Sequence, residues 1–199
     1  MTDTHILLTP HALTQWNLDG RRQGHLDVPI NDAGRAMAER LAERLASHSL
    51  DAVYASDLRR AWETAAPVAE RHGLAVRRDP RLRECRWHDG IEGGDAWPLL
   101  PFPVATEDRE AVVSRVSAAM NAIAATHPGE TVLVVSHGAA TLWFLGNLLK
   151  AAGRRISEYR RIRTALNHLY VRDGAWRVGE LNDDAHVSER GDDARADAG

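Results

Sequence analysis

Residues 4–12 read THILLTPHA and residues 131–138 read TVLVVSHG. Each is a short, uncharged run of aliphatic and β-branched residues, and such runs predict buried strands. Each also ends on a histidine, His11 in the first and His137 in the second. Two strands are therefore expected to deliver an imidazole at their carboxyl ends, and Pro10 stands directly beside the first of them.

Working outward, DAVYAS (51–56) reads as a further strand and LAVRRD (74–79) as a third, partly exposed one. Asn31 or Asp32 can cap a helix with Ala33, Met37, Leu41 and Leu45 on its apolar side. Asp57 reads as the N-cap of a helix beginning at Leu58, with Gly73 as its stop signal. A helix over about 108–126 has Val112, Val116, Met120 and Ile123 on one side, and GAATLWFLGNLLKAAG, starting at His137 or Gly138, is apolar enough to be buried. NHLYVRD and AWRVGELN flank an Asp173-Gly174 turn, which signals a hairpin. Strands alternating with helices and followed by a hairpin predict a three-layer α/β/α sandwich with a mixed, mostly parallel sheet. The pattern leaves the strand order open.

One domain is expected over residues 1–187. Within it, residues 83–108 interleave Gly90, Gly93, Gly94, Pro98, Pro101 and Pro103 with Trp87, Trp97 and Phe102, which predicts a short lid-like region at about 88–108. The final residues, 188–199, are small and charged and are expected to be a disordered tail.

The 199 residues are 44% hydrophobic and 27% charged, ordinary for one domain with its own core. A net charge of -3 and dispersed arginines argue against nucleic-acid binding. No apolar run approaches the roughly 20 residues that cross a bilayer, and no signal peptide is evident, so no membrane partner is expected and the chain reads as cytoplasmic. Cys85 is the single cysteine, and the ten histidines show no CxxC or HExxH spacing, so no metal site is expected. The oligomeric state stays open, a homodimer included.

In open α/β sheets, sites form beyond the carboxyl ends of the strands, where helix N-termini present free N–H groups. Three such ends carry chemistry here: His11; Ser56 and Asp57 with Arg60 one helical turn on; and Ser136, His137 and Gly138. Taken singly, each has a plainer reading, as a hydrogen-bonded strand-end histidine or a solvated first-turn arginine. Together, two imidazoles, a guanidinium and a helix N-terminus suit a tetrahedral anion.

The stretch ILLTPHALTQWNLDGRRQGHLDVPINDAG resembles the opening motif of the histidine phosphatase superfamily, the phosphoglycerate-mutase-like proteins, LVRHGETxWNxxGRxQGxxDxPLxxxG. YASDLRRAWETA is similar to the family's SSDLxRAxQTA, LRECRWHDGIEG to LREIxFGxWEG, TVLVVSHGAA to VLVVSHGG, and LNDDAHV to LNDTAHL. The resemblance runs in order from Ile6 to Val187. It implies two-step phosphoryl transfer on a small-molecule phosphate ester or related anion, with no metal or other cofactor. His11 is then the nucleophile, Glu84 the proton donor and acceptor, and Arg60, His137 and the Gly138 N–H the ligands of the phosphoryl oxygens. Asn17, Gln23, Arg21 and Thr14 are implied as further substrate-binding residues.

The chain departs from the family's RHGE motif, reading Pro10-His11-Ala12-Leu13. Proline supplies neither charge nor an N–H donor. Losing one charged hydrogen bond, about 1.5–3 kcal/mol, corresponds to roughly 10- to 150-fold in binding. Arg21, Arg22, Arg83 and Arg86 are the nearby arginines able to substitute. Three classes stay open: a divergent phosphomonoesterase; a related enzyme using the same His/Glu set on a less charged substrate; and a non-catalytic relative that binds a ligand or partner. Among the active options a phosphatase is favoured over a mutase, because residues 88–108 are short and apolar and hold no long polar insertion. If Trp97, Leu99, Leu100 and Phe102 form a lid, the substrate is expected to carry an apolar or aromatic part.

Overall fold

In the computed structural model, which describes residues 3–86 and 106–187, successive side chains of β1 (Thr4–Pro10) enter different cores. Ile6 and Leu8 join one cluster and Leu7 the other. In β4 (Thr131–Ser136), Val132 and Val134 lie on the first side and Leu133 and Val135 on the second. Side chains alternate across a strand, so strands covered on both faces must be apolar at every position. That is the physical origin of the uninterrupted runs ILL and VLVV.

The six-stranded sheet has the order β3–β2–β4–β1–β5–β6. The strands β3 (Val76–Arg78), β2 (Ala52–Ala55), β4 and β1 are parallel; β5 (Asn167–Arg172) runs antiparallel to β1, and β6 (Ala175–Val178) runs antiparallel to β5. Helices α2 (Asp32–Leu45) and α3 (Arg59–Arg71) pack on the Leu7 face through Leu41, Leu45, Ala65 and Val68. Helices α4 (Arg109–Thr126) and α5 (Gly138–Ala151) cover the Ile6 face through Val116, Met120, Phe144 and Leu145. These are the three layers of an α/β/α sandwich with a mixed, mostly parallel sheet. The β5–β6 hairpin turns at Asp173 and Gly174, both with positive φ (51° and 75°), the conformation that the Asp-Gly pair favours.

The expected lid-like region at 88–108 lies outside the described residues apart from its last three positions, and the tail at 188–199 lies wholly outside them. Two boundary details differ from expectation. Helix α2 is capped by Asn31, whose side chain accepts from the Gly34 N–H at 2.8 Å, but Ala33 is exposed and Gly34 takes the buried position. A Cβ on Gly34 would meet the Leu13 carbonyl oxygen at 2.0 Å, so only glycine lets the helix press against the loop that follows His11. Asp57 does not cap α3. Its carboxylate is taken by Arg83 in a two-pronged pair at 2.8 and 2.6 Å, which holds it below the usual carboxylate range, and Asp27 instead accepts from the Arg59 N–H at 2.7 Å.

Pro10 fits at the end of β1 because no N–H is needed there. The His11 N–H donates to Ser136 on β4, so by alternation the backbone nitrogen at position 10 faces the β5 side. Pairing with β5 ends at Leu8 opposite Asn167.

Candidate functional site

Strands β1 and β4 are neighbours in register, Pro10 opposite Ser136, so the next residue of each chain delivers its imidazole to one place. The rings of His11 and His137 lie with centroids 5.3 Å apart, edge to face. Both are buried, at 7% and 0% exposure. Burial comes first among the causes that push both rings well below the ordinary histidine value, with Arg60 adding to it in each case. Both imidazoles are therefore neutral at pH 7.

Their tautomers are opposite. His11 Nδ1 lies 2.6 Å from the Ala12 carbonyl, which only accepts, so Nδ1 carries the proton and Nε2 carries a lone pair. At His137 the relation is reversed, because Arg60 Nε–H, which only donates, lies 3.2 Å from Nδ1. The proton of His137 is thus on Nε2, and that buried N–H has no partner among the described residues. A lone pair on one ring and an unsatisfied donor on the other, with centroids 5.3 Å apart, suit a group that is electrophilic at its centre and negative at its edge.

Arg60 is 1% exposed and rigidly held. It donates to the Gly24 carbonyl at 2.7 Å and the Leu26 carbonyl at 2.8 Å, besides orienting His137. Burial lowers its pKa to about 10, which leaves it charged at neutral pH. Three of its five N–H groups are thereby committed to the protein, so Arg60 positions His137 as much as it supplies charge. Thr64, one turn further along α3, accepts from the Ala12 N–H at 2.9 Å and donates to the Arg60 carbonyl. This ties the loop after His11 to the helix carrying Arg60. Ala12 itself is fully buried beside Leu13, Ile30 and Met37, so its Cβ is absorbed by packing.

The Glu84 carboxylate occupies the N-terminus of α5. It accepts from the Ala139 N–H (3.1 Å), the Ala140 N–H (3.0 Å) and its own neighbour Cys85 (2.8 Å). The expected anion-binding helix end is thus partly filled by the protein's own carboxylate, and Gly138 is left as the first-turn position beside it, its Cβ site 3.8 Å from Glu84 Oε2. Arg115, paired with Glu107, donates to the carbonyls of Arg81, Arg83 and Glu84 and fixes the segment that carries the carboxylate. Cys85 is buried and its thiol is pushed up to about 11, which makes it inert as a nucleophile.

The remaining sequence-predicted residues divide. Gln23 is 7% exposed and its side-chain Oε1, an acceptor, is buried without a partner among the described residues. Thr14 and Asn17 form a reciprocal capping box around α1 (Gln15–Leu18), with bonds of 3.0–3.1 Å, and Asn17 Oδ1 also accepts from Arg163 at 3.4 Å. Arg21 lies over the Trp16 ring at 3.8 Å. Ser56 and Ser136 have structural partners, the Leu58 N–H and the Leu82 carbonyl. Thr64, Arg115 and Arg163 were not singled out from the sequence. Arg163 acts on His11 from the segment before β5, and its signal was the run of three arginines at 160, 161 and 163.

No group of three or more His, Cys, Asp or Glu among the described residues is arranged to hold a metal ion, and no described helix is long and apolar enough to cross a membrane. The family model of the histidine phosphatase superfamily (branch 1) matches residues 6–184. The chain is 33% identical over 205 residues to phosphoglycerate mutase-like protein 4 of Arabidopsis thaliana, covering 94% of this chain and 88% of that protein. It is 30% identical over 210 residues to the metal-independent phosphoserine phosphatase of the same plant, covering 94% and 85%. Among solved structures, Bacillus stearothermophilus YhfR superposes with a TM-score of 0.79 at 30% identity, over 92% of this chain and 98% of that one. With its sheet order, its paired strand-end histidines and a family match over nearly its whole described length, this chain belongs to the histidine phosphatase superfamily.

Proposed function

We infer that the chain is a phosphomonoesterase acting on a small phosphorylated metabolite through a phosphohistidine intermediate. The observation that carries this reading is the pair of opposite tautomers, a lone pair on His11 Nε2 and an unsatisfied N–H on His137 Nε2, with ring centroids 5.3 Å apart. His11 Nε2 attacks phosphorus in line, the bond to the leaving oxygen breaks, and the new N–P bond holds the phosphoryl group. Glu84 gives the leaving oxygen its proton, then takes one from the water that cleaves the N–P bond and releases phosphate. His137, Arg60 and the Gly138 N–H donate to the non-bridging oxygens, and Gln23 can join them only through its Nε2–H donors. Asn17 and Thr14 shape the loop beside the nucleophile, and Arg21 lies at its outer edge on Trp16.

Similarity to a metal-independent phosphoserine phosphatase and to other phosphatases of the superfamily supports this chemistry. The sequence Pro10-His11-Ala12 supports a divergent site, weaker in positive charge than the family motif. A second reading, a related enzyme on a less charged substrate or a non-catalytic binder, draws on Pro10. The deciding experiment incubates the protein with a generic aryl phosphate, quenches it, and assays acid-labile phosphate on His11, with His11→Ala as control. Labelling of the wild type alone is expected. Neither label nor turnover in the wild type overturns the phosphatase reading in favour of the second.

A further inference from the structure

A phosphate monoester is a dianion near neutral pH, and both imidazoles of this pocket are held neutral. Pro10 brings no charge, and Arg60 is one cation with three N–H groups already committed. The chain between α5 and β5 reads RRIRTA at 160–165 and returns to this end of the sheet. Its corner is Thr164, 1% exposed, with φ of 59° in the left-handed region that a β-branched residue rarely adopts. Three bonds hold the corner. The Thr164 N–H donates to the Pro10 carbonyl at 3.2 Å, its Oγ1 donates to the Arg163 carbonyl at 2.7 Å, and the His186 ring meets the Thr164 carbonyl at 2.9 Å. Backbone strain held in place by this many contacts is typical of a position that something nearby requires.

What the corner positions is Arg163. It is one residue from the bond to Pro10, and its Nε–H reaches Asn17 Oδ1 at 3.4 Å, across the loop that follows His11. That distance is long for an N–H···O bond, so a phosphate oxygen can compete for the donor. After burial and Arg60, the charge of Arg163 is a further cause that lowers the His11 pKa. We propose that Arg163 is a substrate-binding residue, the second guanidinium of the phosphate pocket, supplying from the segment before β5 the charge that position 10 lacks. The proposal rests on the pocket being a phosphate site, as inferred above. It also differs from the sequence expectation of Arg21, Arg22, Arg83 or Arg86, of which Arg83 is bound two-pronged to Asp57 and Arg21 is stacked on Trp16.

The test is calorimetric binding of inorganic phosphate, which needs no turnover, together with kcat and KM on an aryl phosphate. The proteins are the wild type, Arg163→Ala, Arg163→Lys, Arg163→Gln and the double variant Pro10→Arg/Arg163→Ala. Arg163→Ala is expected to weaken phosphate binding and lower kcat/KM by about 10- to 100-fold, the usual effect of one charged hydrogen bond. Lysine should recover part of the loss and glutamine little, while arginine at position 10 should recover most of it. If Arg163→Ala fails to fold, the lysine–glutamine contrast carries the same decision. Phosphate binding within twofold of the wild type in the alanine or glutamine variant overturns the role of Arg163 and leaves the phosphatase reading standing. A wild type that binds no phosphate overturns both.

Discussion

The ends of β1 and β4 are the same device built twice, with opposite outcomes. Each parallel strand passes through the double-sided core and releases a buried, neutral histidine at its carboxyl end. At β1 the chain continues into a loop, and the Ala12 carbonyl meets His11 Nδ1, leaving a lone pair at Nε2. At β4 the chain turns at once into α5, and the Arg60 guanidinium meets His137 Nδ1, leaving a proton at Nε2. Which ring presents a lone pair at Nε2 and which presents a proton is thus decided by one hydrogen bond on the far side of each imidazole, not by burial or position in the fold.

The strongest way to break this comparison is to make one substitution at both ends. His11→Gln is expected to abolish turnover, by at least about 10⁴-fold, because an amide nitrogen is no nucleophile. His137→Gln keeps an N–H near the old Nε2 and should lose only about 10-fold, against about 10²- to 10³-fold for His137→Ala. Steady-state kinetics on an aryl phosphate would show the asymmetry, and equal losses at the two positions would contradict it. Next in size is Arg60→Leu, which removes the partner of His137 and leaves the Gly24 and Leu26 carbonyls without their donor. A stability loss of about 3–5 kcal/mol in urea unfolding is expected, together with a fall in kcat.

A pH series sharpens what the two ends share. Both rings titrate well below 6.5 when folded, so below pH 6.5 the unfolded chain binds protons that the folded chain refuses. Stability is therefore full above pH 6.5 and falls as pH drops below 6.5 toward the folded values. The urea midpoint should track this fall, and His137→Gln should remove about half of the dependence that the pair contributes. The smallest effect is expected from Arg83→Ala, which breaks a partly exposed pair with Asp57 and should change stability by no more than about 1 kcal/mol. A much larger loss would make Asp57 part of the site rather than of its frame.

The fold was legible where local pattern and tertiary role agree. ILL and VLVV are uninterrupted because both faces of β1 and β4 are covered, and the spacing of Met37, Leu41 and Leu45 is the buried stripe of α2. Strand order was not legible, since it depends on which apolar faces meet across the chain. Local rules failed where a distant partner intervened. Asp57 has the look of a helix cap, but Arg83 claims its carboxylate and Asp27 does the capping. The helix N-terminus after His137 invites an anion, yet Glu84 already fills two of its amides. Thr14 and Asn17, expected beside the substrate, also close a local capping box on each other three residues apart. Arg163 carried only a faint signal, the run of arginines at 160, 161 and 163, because it lies far along the chain from His11 and is brought near it by the corner at Thr164, whose N–H donates to the Pro10 carbonyl.

The central claim, two neutral imidazoles in opposite tautomers, is tested most directly by ¹⁵N-resolved NMR of the histidine rings at pH 7. The predicted spectrum has His11 protonated at Nδ1 alone and His137 protonated at Nε2 alone. The same tautomer on both rings, or a doubly protonated His11, would contradict it.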